Sequence, residues 1–435
     1  MAIKVGMVSL GCAKNQVDGE MLMANLKNAG FELCDDAALA DVAIVNTCGF
    51  IDSAKQESID EILELATLKK EGRIKKIVVT GCLAERYREE IHKELPEVDA
   101  AGCKVLPGFL DLHTHGAAGV DVNAADAEGL RTIGRFFASQ GVTGWLCSVL
   151  TDTPEQTLWC MEQARQVIEG GPCGGAALLG VHLEGPCLSS EYKGAMPEHL
   201  LMHTADAELF AKYQKASGGH VRYTTLAPEI PGVPELIPRL NAMGIVCAMG
   251  HSGAGYDQCT ACVEAGVRST THLGNAMRLF HQHDPAIFGV ALERDVYVEA
   301  ICDGRHLHPG TVRLYLKTKG YDRVIAVTDS IMAAGLPDGN YKLGVNDVIV
   351  EDGDAKLPNG VRAGSTLTLA QALRNLMAFT GQGAETVSRL MTANPARLMG
   401  WSSKGRLDVG RDADLVLLDE HYQVVRTVVG GRTVY

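Results

Sequence analysis

Four histidines, a glutamate and an aspartate recur at one kind of position in the last three quarters of the chain. Each closes a short apolar run: His113 and His115 in "GFLDLHTHG", Glu184 in "ALLGVHLEG", His251 in "GIVCAMGHS", His272 in "RSTTHLGNA" and Asp329 in "RVIAVTDS". Glu229 and Asp303 close two similar runs, "RYTTLAPE" and "VYVEAICDG". Imidazole and carboxylate together bind zinc, iron or manganese, so the residue types point to a divalent metal without choosing among them. His113 and His115 stand two apart, so on a strand both side chains face one way and two imidazoles can hold one metal. Glu184 can bridge to a second metal held by His251 and His272. Asp329 is placed to accept a proton from a water acidified by the metal. A lone strand-end histidine is ordinarily structural. Four histidines with two carboxylates at the same end of successive strands make a chance arrangement a poor explanation.

These residues need elements that bring the run ends together. The eight runs start with "GFLDLHTHG", followed by "GWLCSVLT", and end with "RVIAVTDS". Helical patterns over 126–140, 154–169, 205–217, 233–243, 255–265 and 309–319 separate most of them. Eight strand–helix units predict an α/β protein, a (β/α)8 TIM barrel whose site lies at the carboxyl ends of its strands. The first hundred residues read as a separate α/β domain with a parallel sheet. Its strands are "IKVGMVSL", "DVAIVNTC" and "KKIVVTGC", and its helical patterns lie near 16–29, 53–70 and 84–94. Cys12, Cys48 and Cys82 each follow one of these strands. Strand ends of a parallel sheet share an edge, so three thiolates could meet there and hold an iron–sulfur cluster. Three small cysteines placed there by chance is an equally open reading.

Composition narrows the function classes. The 435 residues carry a net charge of −13 with 21% charged and 46% hydrophobic residues. Of that charge, −6 falls in residues 1–100 and −7 in the rest, which repels a phosphate backbone and argues against nucleic-acid binding. No apolar run reaches membrane-span length, and the opening "MAIKVGMVSLGCAKN" reads as strand and turn, not as a secretory signal. Thirteen cysteines without disulfide-framework spacing fit a cytoplasmic protein.

Two resemblances sharpen the reading. "SLGCAKNQVDGE", "ADVAIVNTCGFIDSAKQES" and "VVTGCLAERY" resemble the N-terminal domain of the radical-SAM methylthiotransferases that act on a ribosomal protein, over about residues 3–100. The resemblance implies a three-layer α/β domain in which Cys12, Cys48 and Cys82 hold a 4Fe-4S cluster. The C-x3-C-x2-C motif of that family's catalytic domain is absent. Cys259 and Cys262 are spaced C-x2-C, but Gly255 stands where a further cysteine would be needed. From about Ala100 to Tyr435, "LPGFLDLHTHG", "GVHLEGPCLS", "MGHSGAGYDQ", "THLGNAM", "ICDGRHLHP", "AVTDSIMAAGLPDGNYKLG" and "KGRLDVGRDADLVLLD" resemble the N-acetylglucosamine-6-phosphate deacetylases of the amidohydrolase superfamily. This implies hydrolysis of the acetamide of an amino-sugar phosphate by one or two divalent metals, zinc or iron, and a homodimer formed through the barrel. Glu184, His251 and His272 match the main metal ligands, His113 and His115 a second site, and Asp329 the catalytic aspartate. Asn275, Ala276 and His306 match positions that hold the sugar phosphate. Two positions depart from the pattern: Met196 replaces a carbonyl-polarising histidine, and His283 replaces a phosphate-binding arginine.

The barrel is expected over 104–340 and 366–400, and the remnant of a small β-sandwich over 341–365 and 401–435. The resemblance implies a small domain that uses N-terminal strands, whose place is taken here by the domain of residues 1–100. The expectation is therefore an incomplete small β-domain in which "KLGVNDVIVEDG", "KGRLDVG" and the last 23 or so residues are strands lacking their usual partners. The two resemblances meet in "VDA", Val98 to Ala100. A fragment of an iron–sulfur methylthiotransferase is the competing function for the chain.

Overall fold

The computed structural model describes residues 3–10, 13–47, 52–81, 100, 103–172 and 174–435, which divide along the chain into two compact units, the second starting at Ala100. Cys12, Cys48, Cys82 and the helical pattern near 84–94 lie outside the described residues.

The first unit is a four-stranded parallel sheet. Its strands are β1 (Lys4–Ser9), β2 (Glu32–Cys34), β3 (Val42–Thr47) and β4 (Lys76–Gly81), in the order β2-β1-β3-β4. Helices Ala13–Asn28 and Asp52–Lys70 connect them. Side chains alternate across a strand, so the sheet has two faces to cover. Ala43 and Val45 pack with Ile62 and Leu65 of the second helix. On the opposite face Gly19 of the first helix approaches Met7, Ser9 and Asn46 so closely that a Cβ would lie 3.0–3.2 Å from them. Helices on both faces make the three-layer arrangement expected.

The second unit carries β5 (Lys104–Pro107), β6 (Phe109–Asp111), the short pair β7 (Gly116–Ala117) and β8 (Val120–Asp121), and then β9 (Val142–Leu150), β10 (Ala177–Glu184), β11 (Val221–Leu226), β12 (Val246–Met249), β13 (Ser269–Thr270), β14 (Tyr297–Ile301) and β15 (Val324–Val327). Strands β6 and β9–β15 pair in sequence order as one parallel sheet. The last meets the first through a parallel bridge between Thr114 and Ser330, and through the Asp329 N–H donating to the His113 carbonyl at 2.8 Å. The sheet therefore closes as the expected (β/α)8 barrel. Helices Ala127–Ser139, Pro154–Glu169, Ala207–Ala216, Val233–Ala242, Tyr256–Ala265 and Pro309–Lys319 fall within two residues of their expected ranges. Asp126 and Thr153 cap the first two, accepting from backbone N–H groups of the opening turn. Cys259 and Cys262 are fully buried in the core, packed as small apolar residues.

The C-terminal strands differ from expectation. β16 (Gly339–Leu343), β17 (Asn346–Glu351) and β18 (Asp354–Lys356) form their own antiparallel sheet. Its buried residues Leu343, Val348 and Val350 pack with Leu150, Leu188, Met196 and Ile331, residues of the barrel and of the loops after its strands. β19 (Leu415–Leu418), β20 (Val424–Val429) and β21 (Arg432–Thr433) form a second sheet that is not partnerless, because β5 pairs antiparallel with β19 from Lys104↔Leu418 to Pro107↔Leu415. Residues 341–365 and 401–435 thus belong to two sheets. The stretch "KGRLDVG" is no strand; Gly405 and Gly410 there take φ of +77° and +84°, which bend the chain out of extended geometry. Val105, Val425, Leu407 and Val409 remain exposed around the β5 sheet.

Candidate metal centre

The site follows from a placement rule visible across the barrel. Glu184 is the last residue of β10, while His113, His251, His272, Asp303 and Asp329 each lie two residues beyond the last residue of their strand. After β6, β14 and β15 a step of two keeps the side chain on the inward side; after β12 and β13 the inward series is Ala248/Gly250 and Ser269/Thr271, so His251 and His272 enter the site only because the chain turns there. The backbone then turns sharply: His251, His272, Asp329 and Ala276 have φ of +49°, +28°, +49° and +47°. Such values are rare for residues with a Cβ and concentrate where neighbours force a functional geometry.

The side chains converge. Glu184 Oε1 lies 3.1 Å from His251 Nε2 and 3.2 Å from His272 Nε2, and those two nitrogens are 3.1 Å apart. On the other side, His115 Nε2 is 3.1 Å from Glu184 Oε2, and His113 Nε2 is 3.3 Å from Oε1 and 3.2 Å from His115 Nε2. Two triads, His113/His115/Glu184 and Glu184/His251/His272, therefore share one carboxylate, and all five residues are buried. Asp329 Oδ1 faces the first triad, 3.2 Å from His115 and 3.6 Å from His113.

The tautomers fit a metal. His113 Nδ1 meets the Glu299 carboxylate at 3.2 Å, His115 Nδ1 the Ser148 carbonyl at 3.0 Å and His251 Nδ1 the Tyr192 carbonyl at 2.9 Å. Carbonyl and carboxylate oxygens accept, so each Nδ1 carries the proton and each Nε2 turns a lone pair toward Glu184. Lone pairs this close repel unless a cation stands among them. The charges agree: burial would raise the Glu184 and Asp329 carboxyls, but His113 and His115 hold Glu184 well below the usual range and bring Asp329 to about 2. At the His115 imidazole burial opposes charge, but Glu184 and Asp329 outweigh it and raise the group to about 9; the carboxylates thus favour positive charge at this point, a demand that a divalent cation on the Nε2 lone pairs would meet in place of a proton. The donor set thus gathers anionic and lone-pair ligands for a divalent cation.

The other expected residues take distinct places. Asn275 is half-buried and donates to the His272 carbonyl at 3.0 Å, beside Ala276. His306 Nδ1 pairs with Asp303 Oδ2 at 2.7 Å, the contact that pulls the Asp303 carboxyl down against the raising effect of burial. Glu229 accepts from Ser252 Oγ and the Gly253 N–H, both at 2.6 Å, and so shapes the turn that follows His251. His283 is exposed, its ring 5.3 Å from that of His281. Met196 is buried in the apolar cluster under β16–β18, so it serves packing there.

Four buried polar residues behind the ligands are absent from the sequence expectation. Asp111 accepts from Thr328 Oγ1 at 2.6 Å across the barrel seam. His182 bridges Ser148 Oγ at 2.8 Å and Thr225 Oγ1 at 2.9 Å, kept neutral by burial and by the neighbouring His113. Glu299 accepts from Tyr223 at 2.6 Å. The signal lies in the period of two: Asp111 precedes His113 by two, and His182 precedes Glu184 by two.

A search of protein-family models places the amidohydrolase family on residues 104–434, most of the chain. The chain belongs to the amidohydrolase family. Its N-terminal segment, residues 4–102, matches a family described as "Uncharacterized protein family UPF0004", in line with the methylthiotransferase-like reading of that segment. This amidohydrolase is 35% identical over 354 residues to the N-acetylglucosamine-6-phosphate deacetylase of Lysinibacillus sphaericus, covering 79% of this chain and 89% of that one. The crystal structure of the deacetylase of that name from Thermotoga maritima superposes with a TM-score of 0.72 at 37% identity, covering 76% of this chain and 88% of the other. A variant of the Mycobacterium smegmatis deacetylase in complex with N-acetyl-D-glucosamine-6-phosphate gives 0.72 at 32% identity, with 82% and 88% covered.

Proposed function

We propose that this amidohydrolase removes the acetyl group of N-acetylglucosamine 6-phosphate, giving glucosamine 6-phosphate and acetate. The observation that carries the reading is the pair of His/His/Glu triads sharing Glu184 with Asp329 against them, in a barrel whose relatives bear that activity's name. A divalent metal held by these ligands would acidify water and polarise an amide carbonyl. Glu184, His251 and His272 would hold one metal, and His113 and His115 with Glu184 would hold a second; zinc and iron both suit the set. Asp329, ionised and buried, accepts the proton of the attacking water on Oδ1 and returns it to the leaving amine nitrogen. Asn275, the backbone at Ala276 and His306 orient the sugar phosphate, with His306 held by Asp303.

The same reading takes the protein as a cytoplasmic homodimer acting on a small sugar, without nucleic acid or membrane. Its charge of −13 disfavours nucleic acid, and among the described residues no helix is long and apolar enough to cross a membrane. Leu279 and Phe280, 65% and 58% exposed on the loop after β13, offer an apolar contact to a second barrel. A cluster on Cys12, Cys48 and Cys82 is proposed for the first unit, because β1, β3 and β4 are neighbours in one parallel sheet and run out toward the same edge. Acid-labile sulfide after anaerobic purification tests it, and its absence rejects it.

The departures at Met196 and His283 make the sugar the point to test. Acetate release is measured from N-acetylglucosamine 6-phosphate, its galacto epimer and the two unphosphorylated sugars. The reading expects the first to have the highest kcat/KM. Turnover of only an unphosphorylated sugar would overturn the substrate, and no turnover of any by the metal-loaded protein would overturn the activity.

A further inference from the structure

Behind the two triads stands a carboxylate that neither the resemblance nor the site reading assigns. Glu299 lies in the middle of β14 with no solvent exposure. Its Oε1 accepts from Tyr223 Oη at 2.6 Å, and its Oε2 accepts the backbone N–H of His272 at 3.2 Å. With both oxygens already accepting, the third contact, 3.2 Å from Oε2 to His113 Nδ1, is the imidazole N–H donating.

We infer that Glu299, clamped by Tyr223, is the positioning residue that sets the tautomer of His113 and so makes the His113/His115/Glu184 triad competent to hold a metal. This rests on the two-metal reading above. A histidine free to choose would place its proton on either nitrogen, and a proton on Nε2 would point into the triad. Glu299 removes that choice with a charge-assisted hydrogen bond, and Tyr223 fixes the carboxylate's orientation. The contact is selective between the triads. His251 has its own Nδ1 acceptor in Tyr192, and His272 Nδ1 is buried without a hydrogen-bond partner, so neither ring depends on Glu299 for its tautomer. His272 touches Glu299 only through its backbone N–H.

The substitution Glu299→Gln separates these roles. Turned so that its amide donates to the Tyr223 oxygen, the glutamine carbonyl still accepts from His272 N–H, which preserves the second triad. His113 then faces a neutral acceptor where it had an anion. Titration of the metal-free protein with zinc against a chromophoric chelator reads both dissociation constants directly. The expected result is one equivalent weakened by about 10–100-fold, the other within about threefold, and an unchanged melting temperature. Tyr223→Phe removes one hydroxyl and should weaken the same equivalent by a smaller factor; it decides the matter if the glutamine variant does not fold. A parent that binds fewer than two zinc ions would overturn the two-metal reading itself. A parent that binds two, with Glu299→Gln unchanged at both or weakened equally at both, would leave that reading standing and overturn the role of Glu299.

Discussion

Asp329→Asn isolates proton transfer from metal binding, and the structure explains why asparagine is the right probe. Position 329 has φ of +49°, which asparagine tolerates and alanine does not; alanine would add strain of about 1–2 kcal/mol. The backbone bonds of this position, its N–H to the His113 carbonyl at 2.8 Å and its carbonyl from the Ser365 N–H at 2.7 Å, are untouched by the change. Asparagine also keeps the side-chain volume beside Gly364, where a Cβ would stand 3.7 Å from Asp329 Oδ1. What disappears is the carboxylate facing His115 at 3.2 Å, and with it the only proposed acceptor for the water's proton. Loss of a general base lowers kcat by about 10²–10⁴-fold, or about 3–5 kcal/mol of transition-state stabilisation. Metal content should stay at the parent's level, because Glu184 and the four histidines are intact. The assay is steady-state acetate release, with metal counted by plasma mass spectrometry on the same preparation. A kcat within fivefold of the parent would remove Asp329 from proton transfer. Loss of metal alongside activity would make it a ligand instead.

Three further outcomes follow from the same geometry. His272→Ala should lose metal and activity together, whereas the double change His113→Ala with His115→Ala should lose one metal equivalent and retain part of the activity; equal metal content in parent and double variant would show that His113 and His115 hold none. Met196→His should lower stability by about 1–3 kcal/mol without raising kcat, because position 196 is 3% exposed among Leu150, Leu188 and Leu343 and offers an imidazole no partner; thermal melting and acetate release check both parts, and a rise in kcat would refute the packing role. Burial raises the Asp354 carboxyl, but Arg362 and Lys356 outweigh it and bring it to about 2. Since this lies below the unfolded value near 3.9, its contribution is full above about pH 4 and is lost as pH falls toward 2. Amide exchange across β16–β18 should accelerate in that window in the parent and show no such step in Asp354→Asn; identical profiles would refute the coupling.

Sequence legibility tracks how local the cause is. The barrel strands and the convergence of His113, His115, Glu184, His251, His272 and Asp329 were readable because each of these residues ends an apolar run, and run ends share one edge in a parallel barrel. The helices over 126–140 and 154–169 were readable from their helical patterns to within one residue at each end. The pairing of β5 with β19 was not readable, because four residues at Lys104–Pro107 find their partner more than 300 positions later, and nothing in "KVLP" announces it. "KGRLDVG" misled in the opposite sense: Leu407 and Val409 alternate with polar residues like a strand, but Gly405 and Gly410 at positive φ take the chain out of a sheet. Met196 was read by its neighbours in sequence as part of the substrate pocket, whereas its neighbours in space are the apolar side chains beneath β16–β18.

The support behind the ligands was missed for a related reason. Glu299 and Tyr223 sit mid-strand, where composition predicts core, and only the inward period of two marks them as facing the same interior as the ligands. Their meaning depends on a contact between β11, β14 and the residues after β6, three strands with no sequence proximity. A mid-strand carboxylate with no solvent access is nonetheless a signal in its own right. An unpaired charge there costs several kcal/mol, so Glu299 in "VYVEAICDG" requires a donor from across the barrel. The imidazoles of the metal centre are the donors that an amidohydrolase barrel places within reach. In a barrel of this kind, the inward charged residue before the strand end is therefore the place to look for the group that sets a ligand's tautomer, and here that reasoning leads to His113.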